Sequence, residues 1–151
     1  MTHAKPLSIL LAVCLQAPLL VRAGDLPLEL QGLDAARLAG ARLAVALYGA
    51  ADQWMGKPVL ARRFELAELK TQGDRVSLTL SGVPDELLAG PLALTVFQDT
   101  NANGRLDRNA FGMPTEPYGF SNDATGNFGP PSFEAARFQW APGQVVRLKL
   151  N

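Results

Sequence analysis

The chain has 151 residues, with 14 basic and 14 acidic side chains, one histidine and one cysteine. No basic cluster is present to hold nucleic acid. So little imidazole and thiol leaves a poor supply for zinc, copper or haem ligation, for general-base catalysis or for a disulfide.

In chain order, residues 1–23 read as a cleaved signal peptide. Lys5 and the amino terminus give a weakly positive start, and Pro6 to Val21 is apolar and uncharged. Val21-Arg22-Ala23 then places small or branched residues where a signal peptidase cuts, after Ala23. As a helix the apolar stretch would reach about 24 Å, short of the ~30 Å hydrocarbon core, and Pro18 interrupts it. Leu11-Ala12-Val13-Cys14 is a poor lipoprotein box, because Val13 is bulky and apolar sequence continues past Cys14. Cleavage removes His3, Cys14, Lys5 and Arg22, so the mature chain of 128 residues carries 12 basic against 14 acidic side chains, a net −2. The expectation is a periplasmic or secreted protein with no membrane insertion after cleavage. Residues 24–151 are long enough for one domain with its own core.

Period-2 alternation marks the strands. Leu26, Leu28 and Leu30 form one apolar face, Leu43, Val45 and Leu47 a second, and Val76, Leu78 and Leu80 a third. Leu92 to Phe97 is a nearly continuous apolar run and reads as a buried strand. Val59 to Lys70 fits either a strand through Leu60 to Leu66 or a short helix on Phe64, Leu66 and Leu69. Ala136, Phe138 and Trp140 form another face, followed by Val146, Leu148 and Leu150, with Ala141-Pro142-Gly143 as a turn between them. These last two runs are expected to form a hairpin, with Trp140 in the core. About seven strands at this spacing predict an all-β fold: a single antiparallel β-sandwich of immunoglobulin or prealbumin type.

Residues 99–133 break the rhythm. They open with Asp99, Asn101 and Asn103 at alternate positions, then Gly104 and Asp107. An all-oxygen set with a glycine at the turn is the start of an EF-hand calcium loop, to which Arg105 would lend its backbone carbonyl. Position 12 is Ala110 rather than glutamate, and a strand precedes the loop, so this is no EF-hand. Glu116 or Asp123 would have to fold back and complete the shell. Arg105 and Arg108 reduce the net charge from Asp99 to Glu116 to −1, which predicts a weak site of about 10⁻⁴ to 10⁻³ M. The competing reading is a metal-free Asx-turn loop closed at Asn103-Gly104.

The remainder of this stretch carries Phe111, Tyr118, Phe120, Phe128 and Phe133. So many aromatics argue for order, since each fixed residue costs about 1–2 kcal/mol of backbone entropy that burial or a cation must offset. Tyr118, Phe120 and Phe128 are candidate ligand-binding residues. The alternative is that they pin the loop to the body. Burial of Tyr118 and Phe120 would favour pinning, and exposure in a groove would favour binding. Trp54, in a turn-rich stretch, is either a surface anchor or a packing residue.

Phe97-Gln98-Asp99 through Asp107, then Phe111-Gly112-Met113-Pro114-Thr115-Glu116-Pro117-Tyr118-Gly119-Phe120-Ser121-Asn122, resembles the signature of a secreted bacterial family, domain of unknown function 2141. Phe128-Gly129-Pro130-Pro131-Ser132-Phe133-Glu134-Ala135-Ala136 is similar to the same signature, and the likeness runs from about Leu26 to the C-terminus. The resemblance implies a signal-bearing, single-domain β-sandwich with no established activity. The family pattern has a histidine where Gln98 stands, so any chemistry of that histidine is missing here. The Asp99–Asp107 loop alone is also similar to calcium loops in bacterial surface-adhesin repeats, where calcium rigidifies a sandwich domain.

The sequence therefore predicts a non-catalytic module with structural calcium held by Asp99, Asn101, Asn103, Arg105, Asp107 and Glu116. Its long loop would bind a protein or carbohydrate. One rival is a small hydrolase using Asp99, Asp107 or Glu116 on a carbohydrate, which requires a carboxyl pair ~5–9.5 Å apart with one raised pKa. The other rival is a purely structural envelope protein.

Overall fold

A computed structural model describes residues 24–151. The leader expected from the sequence, with His3 and Cys14, lies outside the described residues. The fold is an all-β sandwich of two sheets. One sheet contains β1 (Leu26–Gln31), β4 (Thr71–Gln72), β5 (Arg75–Leu80) and β9 (Val146–Lys149), in the order β4-β5-β1-β9. The other runs β3 (Leu60–Glu65), β2 (Arg42–Tyr48) and β6 (Pro91–Asp99). The far side of β6 is shared by two short strands, β7 (Tyr118–Phe120) and β8 (Phe138–Gln139).

Alternation sets which side chains meet. Leu28 and Leu30 of β1, Leu43, Val45 and Leu47 of β2, and Leu94 and Val96 of β6 are all within 2% of complete burial. Burying a side chain of this size contributes about 1.5–3 kcal/mol, which offsets the chain entropy lost on ordering. Both readings of Val59 to Lys70 hold in part: Leu60–Glu65 pairs with β2, and Leu66–Glu68 turns as a short 3-10 helix that buries Leu66.

The pairing is antiparallel except at one place, where β9 runs parallel to β1. This corrects the hairpin expected at the end of the chain. Ala136 closes a helical turn, α1 (Phe133–Ala136), and only Phe138 and Gln139 are extended. The turn at Ala141 forms, with Gln144 donating to the Ala141 carbonyl at 2.9 Å. It carries the chain from one sheet to the other instead of folding it back. The reason is local: Trp140 is buried and its indole donates to the Gln144 carbonyl at 2.9 Å, fixing a crossover.

The final residues close the open side of the sandwich. Leu150 donates to the Gln31 carbonyl at 2.7 Å, and Asn151 exchanges backbone bonds with Tyr118. This threading requires glycine on both walls. A Cβ on Gly32, whose φ is +90°, would lie 2.2 Å from the Leu150 oxygen, and one on Gly119 would lie 2.5 Å from the Lys149 oxygen. Both approaches are impossible for a real Cβ.

Candidate functional site

The segment after β6 is a knot of side-chain-to-backbone bonds. Asp99 is fully buried, and its two carboxylate oxygens accept the N–H groups of Asn103 (3.0 Å) and Gly104 (2.7 Å). Gly104 has φ of +81°, which is why the turn needs it. The Asn101 side-chain oxygen accepts from Asn103 N–H at 3.1 Å, and that of Asn103 accepts from Arg105 N–H at 2.9 Å, giving two successive Asx turns. Their amide nitrogens converge on Asp107, Asn101 at 2.7 Å and Asn103 at 3.0 Å to each oxygen. These bonds, from Asn103 first and then Asn101, hold the Asp107 carboxyl below the ordinary carboxylate range.

Glu116 supplies the clasp. It is buried, one carboxylate oxygen accepts both the N–H (2.7 Å) and the hydroxyl (2.8 Å) of Thr100, and the other accepts the Asp107 N–H at 3.0 Å. Five of the six residues read from sequence as a cation site thus bond to one another through their side chains, and Arg105 joins through its N–H. Asp123 does not belong to the knot. It turns to β9 instead, accepting the Lys149 N–H at 2.7 Å.

The donor set is all oxygen and suits a hard cation, yet its oxygens are largely engaged. Among the described residues no three His, Cys, Asp or Glu side chains gather as a metal cage. A cation at Asp107 would require Asn101 and Asn103 to turn their amides and present oxygen in place of N–H. The two Asx turns are formed, an arrangement compatible with either reading.

Beyond Asp107 the chain makes a second small turn. Asn109 accepts from the N–H groups of Phe111 (3.0 Å) and Met113 (3.1 Å), and Arg108 donates to the Gly112 carbonyl at 2.8 Å. It returns to the sheet at β7, and Ser121-Asn122-Asp123 completes the edge. The Ser121 hydroxyl accepts from Leu94 N–H at 2.8 Å and donates to the Ala136 carbonyl at 2.5 Å. Asn122 donates to the Arg137 carbonyl at 2.6 Å. Sequence reasoning took Asp123 as a candidate cation ligand and placed Ser121 and Asn122 only in the family resemblance, and it missed their bracing role. Its one signal was a run of Ser, Asn and Asp directly after a strand, where such residues favour turns.

A second, aromatic core forms where the excursion meets the outer face of β2 and β6. Trp54 sits at its centre, 5.0 Å from Tyr48 and 6.0 Å from both Phe120 and Phe133 between ring centroids. Its indole donates to the Pro131 carbonyl at 2.8 Å, so Trp54 is a packing residue. Phe120 is buried here and Tyr118 half-buried, which fits the pinning role.

Phe128 behaves differently. It projects fully into solvent, as does most of Phe111 (90%), while Met55 (46%) and Met113 (59%) are also exposed. Met55, Met113 and Phe128 line one cleft of about 170 Å³ together with Leu106, Tyr118 and Phe120. All three candidate ligand-binding residues therefore border a single space. Met55 (φ +59°) and Phe128 (φ +60°) both hold left-handed backbone, unusual for bulky side chains and costing about 1–3 kcal/mol each. A more open hollow of about 520 Å³ lies on the outer face of β1, β5 and β9. Its walls are solvated strand side chains such as Gln31, Ser77 and Lys149, with Glu29 and Arg147 already paired at 2.8 Å.

Fold and site together define a small β-sandwich with an elaborated edge excursion. The chain belongs to the bacterial family described as "Uncharacterized protein conserved in bacteria (DUF2141)", whose family model matches residues 33–147. No curated protein and no solved structure gives a significant match.

Proposed function

We propose that this protein is a secreted or periplasmic, non-catalytic binding module whose 99–133 excursion presents a small apolar cleft to a partner. One observation carries the reading: exposed Met55, Met113 and Phe128 border the same cleft as Tyr118 and Phe120. Contiguous exposed apolar surface marks interaction sites. The division of labour within the aromatics supports it too, since Phe120 anchors the excursion and Phe128 projects from it. A purely structural envelope protein gives no account of two strained, solvent-facing apolar residues on one rim.

The Asp99–Asp107 loop is proposed as a weak structural calcium site. Its cation would displace the Asn101 and Asn103 bonds to Asp107, which keeps the affinity low and makes the loop a brace. A hydrolytic reading has less support, because Asp99 and Glu116 are buried and turned onto N–H donors.

Two measurements test the proposal. Thermal melts in EDTA and in millimolar calcium should differ, by about 2.7 kcal/mol at a hundredfold excess over the dissociation constant. Identical melts with no binding heat would remove calcium from the reading. Photo-crosslinking from position 111 in cells should yield a discrete adduct that is lost with Met113→Ser and Phe128→Ser together. A double variant that melts lower, with no adduct from the parent, would instead identify these side chains as structural.

A further inference from the structure

Resting on that binding reading, we propose that the cleft takes one phenyl-sized side chain of an extended polypeptide segment, with a carboxylate beside it held by Arg108. Size comes first. At about 170 Å³ the space is well below the ~300–1,000 Å³ of small-molecule pockets and close to the ~150 Å³ cavity that accepts benzene. A sugar chain or a cofactor would leave most of itself outside, whereas one ring fills the space.

The lining fits a ring as well. Met55 and Met113 bring polarizable thioethers, which favour aromatic edges, and Tyr118 and Phe128 bring ring surfaces at edge-to-face reach. Leu106 and Pro114 complete an apolar wall with no carboxylate in it.

Charge supplies the second half. Arg108 lines the cleft, spends one N–H on the Gly112 carbonyl, and is exposed. Guanidinium carries five donors, so donors remain. The four ion pairs among the described residues involve Arg37, Arg42, Arg137 and Arg147 and leave Arg108 without a carboxylate. A carboxylate next to the seated ring would complete a charge-assisted pair.

The test is an NMR titration of the full chain with N-acetyl-L-phenylalanine and with N-acetyl-L-phenylalaninamide. Both should bind saturably at about millimolar concentration, shifting Met55, Met113, Tyr118 and Phe128. The acid should bind about twofold to fivefold more tightly than the amide. Arg108→Gln should erase that difference by weakening the acid more than the amide, while Met113→Ser with Phe128→Ser should weaken both probes. Saturation with equal affinities would overturn the carboxylate component. No saturable shift at tens of millimolar, or shifts outside the cleft, would overturn the ring pocket. Sedimentation with phosphatidylglycerol vesicles that Phe128→Ser abolishes, without probe binding, would assign the rim to lipid instead. If both probes fail while the position-111 adduct persists, the binding reading stands and only this partner chemistry falls.

Discussion

One oxygen of the buried Glu116 carboxylate accepts both the backbone N–H and the hydroxyl of Thr100, at 2.7 and 2.8 Å, while its other oxygen takes the Asp107 N–H. Glu116→Gln keeps the shape and replaces an acceptor with a donor. One end of the amide must then face an N–H with an NH₂ group. The loop should loosen, with a loss of on the order of 1–3 kcal/mol in denaturant unfolding. Glu116→Gln with unchanged stability would show that the clasp is not needed.

Ser121→Ala removes the hydroxyl that both receives Leu94 N–H and donates to Ala136. The position is fully buried, so water does not replace it. Two orphaned backbone groups should cost on the order of 3 kcal/mol together. Hydrogen exchange at Leu94 should accelerate more than at Val96, which is paired with Gly119.

Phe128→Asn tests the left-handed rim residue. Asparagine tolerates φ of +60° far better than phenylalanine, and no buried contact is lost because Phe128 is fully exposed. Stability should hold or rise by up to about 1 kcal/mol, while binding of the phenylalanine probes weakens. A marked fall in melting temperature would mean that Phe128 packs against something essential.

Acid should loosen the protein at two half-buried carboxylates. The Arg37 guanidinium at 2.6 Å holds the Asp34 carboxyl below its usual range, and Asn103 and Asn101 do the same for Asp107. A depressed folded pKa contributes stability that is fully present above the ordinary carboxylate value, about 4, and is lost as pH falls through the lowered one. Unfolding free energy should therefore decline with pH below about 4, and Asp34→Asn with Asp107→Asn should flatten that decline. Equal slopes for parent and double variant would rule these two residues out as the source.

Much of the sandwich was legible because inward leucines and valines alternate with polar residues on β1, β2 and β5. The register of an amphipathic strand is fixed by what it buries. The end of the chain was not legible. Phe138 and Trp140 share a period with Val146 and Leu148, but periodicity does not say which sheet each run joins. That choice rests on the crossover fixed at Trp140 and on Gly32 and Gly119, which leave room for the last residues. At the site, the spacing of Asp99, Asn101, Asn103 and Asp107 did predict a convergent cluster. It did not reveal that amide N–H groups, rather than oxygens, would point at Asp107, because alternation fixes position and not rotamer. Gln98 shows a similar limit. It is a buried bracket whose amide accepts from Asp34 N–H at 2.7 Å and donates to the Asp34 and Arg37 carbonyls.

The parallel pairing of β1 with β9 has a temporal side. Glu29 of β1 and its partner Arg147 on β9 are 118 residues apart in sequence. A loop of this span adds closure entropy before any pairing is rewarded. Until that loop closes, β1 has one flank bare. A chain that has not closed it thus lacks a stable halfway house, and folding should be slow and all at once.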